Sequence, residues 1–412
     1  MKKVGIVGGG PSGLIVAANL LESGFDGQIF IFEKNTKLGV KLLAAGGGRC
    51  NLTTGINKKK EFVKNFPRGK ELVSYYIKKY PPKNICRWFN YYGLSLKQES
   101  DGRVFPVSDN SEDVVDVFLK IFRKYDNLVL NLKTKVVDVS LVDGKFLLET
   151  DFNKYFFDYL VVATGGKAYA NTGSSGDGYY FAKKMGHNIT SLSSGLTGFY
   201  TKEKFSTCKG VSFPKPIILC ESITIKSPVL FTHYGLSGPG IFALSSEIAY
   251  KTPTKENPKK IFLIPDERIT YLLLENFYKK YEVSSPKKNI LNFYCQFFPK
   301  SFLLMLFEFL GIDKSYDMSN FPSKYRKKIN KKLGLGIEIN LIGKKGGGEF
   351  VTVGGVELEG VCKSTLESRQ VKGLYFAGEV LNVDGYTGGF NLRRCWSSGL
   401  AVSNNINYML QI

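Results

Sequence analysis

Lys3-Val4-Gly5-Ile6-Val7-Gly8-Gly9-Gly10-Pro11-Ser12-Gly13-Leu14 is the stretch that decides the fold. Its first five residues read as a short buried strand, and the segment from Leu14 to Leu21 continues as a largely apolar helix. Gly8, Gly10 and Gly13 between them fit G-x-G-x-x-G, and Pro11 and Ser12 complete the turn into the helix. A second predicted strand, 28–32, ends at Glu33 and Lys34, with Glu33 twenty residues beyond Gly13. Each part has a physical task. Gly8 permits the tight turn, Gly10 lets backbone approach a pyrophosphate, and Gly13 lets the helix pack on the strand. The helix start offers N–H groups to phosphate, and Glu33 can hold a ribose diol.

The other end of the chain mirrors this pattern. Residues 373–377 form a short apolar strand, followed by Gly378-Glu379, then Asp384-Gly385-Tyr386-Thr387-Gly388-Gly389-Phe390-Asn391, then a helix over 392–405. A helix start here faces a flavin ring well, because its positive end stabilises the anion that a reduced flavin carries. FAD is therefore preferred over NAD as the resident ligand. A further buried strand, 159–163, ends in Thr164-Gly165-Gly166 and is expected to bring backbone to the same nucleotide. No second G-x-G-x-x-G follows a strand in mid-chain, so NAD(P)H is expected as a transient reductant without its own Rossmann domain.

Between these ends lies Lys41-Leu42-Leu43-Ala44-Ala45-Gly46-Gly47-Gly48-Arg49-Cys50-Asn51. Gly47 and Gly48 leave room for close approach, Lys41 and Arg49 add positive charge, and Asn51 adds an amide. Beside a flavin, Cys50 is a candidate acid that protonates carbon; the alternative is a buried thiol packed under the loop. His233, in Phe231-Thr232-His233-Tyr234-Gly235, is the second catalytic candidate because it titrates near neutrality; otherwise it is a structural hydrogen-bonder. His187 is assigned no role.

The 412 residues carry a formal net charge of +21. Residues 58–87 hold ten Lys/Arg against two Glu, and 196–334 hold twenty-two against eleven, leaving the other 243 residues near neutral at +2. The densest run, 324–332, has six cations in nine residues. Such patches suit a polyanion, RNA above all, or form a solvated basic face. Seven cysteines without a C-x-x-C pair, and two histidines, argue against a disulfide framework and a metal centre. No apolar run is long enough to span a membrane and no export signal opens the chain, so a cytoplasmic protein is expected. The pattern divides the chain into an α/β FAD domain (1–190 and 356–412), a β-barrel-like insert (191–266 and 335–355) and a basic helical insert (267–334).

Together these segments resemble the BaiN/RdsA-type NAD(P)/FAD-dependent oxidoreductases. The resemblance rests on GGGPSG at the start, residues 41–55, residues 231–240, residues 351–361 and residues 373–399. It implies a two-dinucleotide-binding-type FAD domain with a β-barrel and helical insert. It places Gly8, Gly10, Gly13 and Glu33 at the adenosine and pyrophosphate, and Gly378, Glu379, Gly389 and Asn391 at the ribityl chain and flavin. Asn382 and Arg393-Arg394-Cys395 depart from the family pattern. One branch resembles rRNA dihydrouridine synthases acting on large-subunit (23S) rRNA; others reduce activated double bonds in small molecules or oxidise amines. The localised charge favours the rRNA reading, with Lys41, Arg49 and 324–332 holding phosphates. The alternatives are a small-molecule flavin reductase or oxidase, and a flavin-bearing RNA-binding protein without turnover.

Overall fold

The computed structural model describes residues 1–410. They divide into two compact units, Met1–Ser194 with Phe350–Ile412, and Gly195–Glu349.

The first unit is built on a five-stranded parallel sheet. Its strands are β1 (Lys3–Val7), β2 (Gln28–Phe32), β3 (Leu128–Asn131), β4 (Tyr159–Val162) and β5 (Leu374–Phe376), in the order β5-β4-β1-β2-β3. Val7 pairs with Phe32 on one side and Val162 on the other, and Val162 pairs with Phe376. Because all five strands run in parallel, the residues after them, Gly8, Glu33, Ala163 and Ala377, emerge along one edge. Ligands of open α/β sheets bind at that edge. Val4, Ile6, Leu160 and Val161 are fully buried, as strands covered on both faces require.

Helix α1 (Pro11–Glu22) starts from Gly10, with Pro11 where a missing N–H costs nothing. It ends in a Schellman motif: Gly24, at φ 77°, donates to Leu21 O and Phe25 donates to Leu20 O. The C-terminal helix α2 (Phe390–Leu410) lies against it so closely that a Cβ on Gly399 would sit 2.3 Å from Ile15 Cγ2. A small antiparallel sheet, Val136–Val142, Lys145–Thr150 and Lys154–Phe157, also packs on the parallel sheet. Phe157 and Tyr155 meet Phe30 and Phe32 edge-on at 5.3 and 5.1 Å. Gly5 is the counterpart of this packing, since a Cβ there would lie 2.8 Å from the Phe157 ring.

The second unit holds an eight-stranded sheet whose interior runs Phe199–Thr201, Ile337–Lys344, Lys259–Ile264 and Ile217–Cys220. The helices between 267 and 334 fall in this same unit and form no separate one. Ile329 and Leu333 of helix Ser323–Leu335 are fully buried, which fastens the basic segment to its neighbours. Val351–Val353, expected to close the insert, belongs to the first unit instead. The reason is Thr352: its hydroxyl accepts from Lys167 N at 2.6 Å and Ala168 N at 3.0 Å, and its N–H donates to Glu379 at 2.9 Å. No helix among the described residues is long and apolar enough to cross a membrane.

The helix-to-turn contact tests this arrangement. A Cβ on Gly13 would lie 2.0 Å from Gly8 O. Gly13→Val should therefore lower the unfolding free energy by about 2–3 kcal/mol, read from the denaturant midpoint at unchanged slope. A variant as stable as the parent would show that this turn relaxes freely.

Candidate cofactor site

The first βα turn has the three properties that its glycines foretell. Gly8 sits at φ 111°, where a Cβ would lie 2.5 Å from Ala163 O. Gly13 underlies the turn. Gly10, by contrast, has nothing within 4 Å of where its Cβ would be. The helix N-terminus thus presents bare backbone at an open face. Glu33, 9% exposed, accepts from Gly9 N at 2.9 Å and from both Asn35 nitrogens, N at 2.9 Å and Nδ2 at 2.7 Å. Those bonds fix the carboxylate beside the glycine turn. Lys34 pairs with Asp177 at 2.7 Å and hydrogen-bonds Ser175, so its charge already has a partner. Thr164 Oγ1, at the end of β4, is buried without a protein partner, and Gly165 beside it is at φ 74°.

Residues 41–53 are joined to the C-terminal loop and helix α2 by four contacts. Lys41 Nζ lies 2.8 Å from Glu379 Oε2. The Asn51 amide donates to Thr53 O and accepts from Gly389 N, both at 3.0 Å. Trp396 Nε1, fully buried, donates to Leu52 O at 3.0 Å. Finally, a Cβ on Gly389 would meet Thr53 O at 2.3 Å. Burial alone would raise the Glu379 carboxyl, but the charges of Lys41 and Arg394 outweigh it and hold its pKa below the usual value. Gly47 and Gly48, at φ 70° and 87°, have open space where Cβ atoms would stand. Gly388 and Gly389 are also left-handed, at 118° and 86°.

Several residues do other work than the sequence suggested. Cys50 is fully buried in the hydrophobic core, its pKa pushed far up by burial, so it is not placed to hand a proton to a substrate. Its unusual φ of 59° and the bond from its N–H to Ala45 O (2.8 Å) make it a loop anchor. Arg49 stacks at 4.0 Å on Phe105 and bonds Glu99 and Asp109 at 2.5 and 2.6 Å, so its donors are committed to carboxylates. Ser12, 3% exposed, faces the β5 turn: a Cβ on Gly378 would be 2.2 Å from its hydroxyl. Asn391 ties the loop to itself, accepting from Gly385 N (2.9 Å) and donating to Gly385 O (2.7 Å). The Phe390 ring is buried against Phe62 and Phe66 at 5.4 and 5.7 Å, which leaves its backbone at the helix start. His233 lies in the second unit, exposed on the turn between Val229–Phe231 and Gly235–Ser237, its ring against Tyr234 at 5.1 Å.

Two supports escaped the sequence reading. Arg68 grips the buried Asp384 through two nitrogens, Nη2 to Oδ2 at 2.6 Å, and the two backbones also bridge. Thr352 is the other. Asp384 stood in a recognised motif, but its partner is 316 residues away in a stretch legible only as basic.

These residues fit FAD. An open glycine backbone at a helix start suits a pyrophosphate, an acid at the end of β2 suits a ribose, and Thr164 Oγ1 offers an unmatched polar atom. The HI0933-like protein Rossmann domain family model matches residues 2–405. The chain belongs to this family. Among its relatives are a 3-dehydro-bile acid delta(4,6)-reductase of Clostridium scindens, 28% identical over 408 residues and 97% of each chain, and a ribosomal RNA dihydrouridine synthase of Haemophilus influenzae, 29% identical over 410 residues and 98% of each. The fold is also that of the quinol fumarate reductase FrdA of E. coli (TM-score 0.52, 12% identity, 99% of this chain and 71% of that one). A 3-ketosteroid delta1-dehydrogenase of Sterolibacterium denitrificans matches at TM-score 0.50 and 12% identity, over 99% and 100%. As an HI0933-like protein, the chain has a Rossmann-type FAD-binding domain and lies in a family of FAD-dependent oxidoreductases.

Two outcomes follow from the geometry. Cys50→Ala should keep turnover within about twofold while losing about 1–2 kcal/mol of stability, measured by steady-state rate and denaturation. A rate loss of a hundredfold with flavin retained would restore Cys50 to the chemistry. The second concerns Glu379, whose folded pKa is depressed. Its ionisation contributes stability at neutral pH that is lost as pH falls through the folded value, below the unfolded value of about 4.3. Lys41→Met should thus be less stable than the parent at pH 7 and converge on it as pH falls below the folded value. An equal deficit at every pH would assign the loss to packing.

Proposed function

We propose that the protein reduces the C5–C6 double bond of a uridine in large-subunit rRNA, using NAD(P)H as the source of electrons. The observation that carries this reading is the lysine stripe on helix Ser323–Leu335. Lys324, Lys327, Lys328, Lys331 and Lys332 recur at spacings of three and four, so they share one helical face. All but the half-buried Lys332 are exposed. Arg326, off this stripe, is engaged by Glu275 at 3.3 Å and the Tyr278 ring at 4.6 Å. Lys328 donates to Leu310 O at 3.1 Å and Lys324 lies 4.9 Å from the Tyr325 ring, but none of the five pairs with a carboxylate among the described residues, and a stripe of such ammonium groups backed by a packed face suits a phosphate backbone. The similarity to ribosomal RNA dihydrouridine synthases supports the same substrate.

Uridine and a 3-oxo-Δ4,6 steroid share one chemical feature, a double bond conjugated to a carbonyl. Reducing such a bond places hydride at a carbon made electrophilic by the conjugation and a proton on the chain toward the carbonyl; in uridine these are C6 and C5. FAD, when bound, supplies the hydride. Gly8, Gly10, Gly13, Glu33 and Thr164 would hold its adenosine diphosphate part, and Lys41, Glu379 and Gly389 its flavin end. The Lys41–Glu379 pair fixes a cation at the junction of the two loops, where it can attract an anionic group. With Cys50 buried, His233 is the remaining proton donor among the two catalytic candidates. A uridine must leave its stack to meet a planar cofactor, so a loop or single strand is the expected target.

Small-molecule reduction is the second reading, favoured by the bile acid reductase at nearly equal identity and coverage. Mapping dihydrouridine in large-subunit rRNA with and without the gene separates the two. Loss of one dihydrouridine, restored by the intact gene, supports the first; an unchanged map with the site covered, together with reduction of a 3-oxo-Δ4 steroid, supports the second. The lysine stripe has its own test. Replacing Lys324, Lys327 and Lys331 by Gln should leave flavin content intact and make the slope of log affinity for rRNA against log salt shallower by about 2. A parental slope would remove this helix from the RNA contact. His233→Asn should lower the single-turnover rate at least about tenfold without altering flavin content.

A further inference from the structure

Helix α2 carries two consecutive buried arginines, Arg393 and Arg394, 1% and 6% exposed. None of the three guanidinium nitrogens of Arg394 has a protein hydrogen-bond partner. Arg393 is barely better served: Nε has none, and Nη2 reaches Tyr76 O only at 3.4 Å. Together with Ser397 they line a cavity whose further walls include Phe62, Phe66 and Tyr76. No carboxylate lines it. The nearby acid, Glu379, is already engaged by Lys41 at 2.8 Å and by Thr352 N at 2.9 Å.

An arginine cannot escape this situation by losing its proton. Burial lowers the Arg393 pKa only to about 9, so it stays cationic at neutral pH. A buried guanidinium without hydrogen-bond partners costs several kcal/mol, and here two stand side by side; the charge of Arg394 acts on Glu379, but no hydrogen bond joins them. Cys395 and Gly399 turn the other face of α2 toward Ser12 and Ile15 of α1, whereas Arg393 looks toward Tyr76 on the helix Lys70–Lys79. The cavity is small, walled by side chains of α2 and of the helix Lys70–Lys79. Mostly apolar walls favour a weakly hydrated ion.

We propose that Arg393 and Arg394 hold a buried halide, chloride under ordinary salt conditions, as the counter-ion of the C-terminal helix. The ion bonds the Arg394 guanidinium and Arg393 Nε, and it belongs to the folded state alone, since the cavity exists only when α2 meets the segment from Phe62 to Ile77.

The test uses the full-length FAD-loaded protein. Crystals grown with bromide in place of chloride should show an anomalous peak in the cavity against both arginines. In solution at constant ionic strength, replacing gluconate by chloride or bromide should raise the melting temperature saturably. Arg394→Met should abolish both effects. A cavity holding only water, with no bromide signal, would overturn the proposal, as would a halide response that Arg394→Met leaves unchanged. If that variant does not fold, the bromide map of the parent protein decides alone. None of these readouts depends on the rRNA or steroid assay.

Discussion

The constraint on which the first unit depends is the packing of two backbones: Gly13 at the start of α1 over the carbonyl of Gly8, where a Cβ would lie 2.0 Å away, with Gly8 itself against Ala163. These contacts leave no volume for a side chain. They set α1 at the height where its N-terminus opens over the edge of the sheet, and they bring the end of β4 beside the end of β1. Once those backbones are fixed, the parallel registers carry Glu33 and Gly378 to the same edge. The Lys41–Glu379, Asn51–Gly389 and Arg68–Asp384 contacts then draw the remaining loops in. The cofactor site is thus a result of backbone proximity first and of charge pairing second.

That order explains what could be read from the chain. Glycine spacing, buried strands and the acid after β2 are local patterns, so the α/β fold and the site's position were legible from residues 3–33 and 373–391. Side-chain roles were less so. Cys50 and Arg49 lie in the most distinctive loop of the molecule, yet one is sealed in the core and the other faces Glu99 and Asp109. A motif marks where backbone must go; it does not say which way a side chain turns. Arg68 shows the converse difficulty. Its segment carries no motif, and only folding brings it to Asp384. Likewise Thr352 moved strand Val351–Val353 out of the insert through hydrogen bonds that no periodicity records.

Two groups of cations in this chain differ physically. The lysines of helix Ser323–Leu335 sit in water, where salt screens them and a polyanion displaces their counter-ions. Arg393 and Arg394 lie behind the aromatic wall of Phe62 and Phe66, where screening is weak and each guanidinium without hydrogen-bond partners weighs heavily. A net charge of +21 merges these classes, although one concerns association and the other the integrity of the fold.

The split of the first unit around residues 195–349 has a consequence for how the protein is made. Strand β5 and helix α2, which cover β4 and α1, leave the ribosome only after residues 195–349 have been made. Until then the apolar face of α1 at Ile15, and the partners of Trp396 around Leu52, have no cover. The second unit, by contrast, is continuous in sequence and can collapse while the first still waits. Nascent chains should therefore pass through a state with a finished insert and an open nucleotide-binding half. In that state the exposed edge at β4 is a hazard for aggregation, which a chaperone or early capture of the cofactor would relieve.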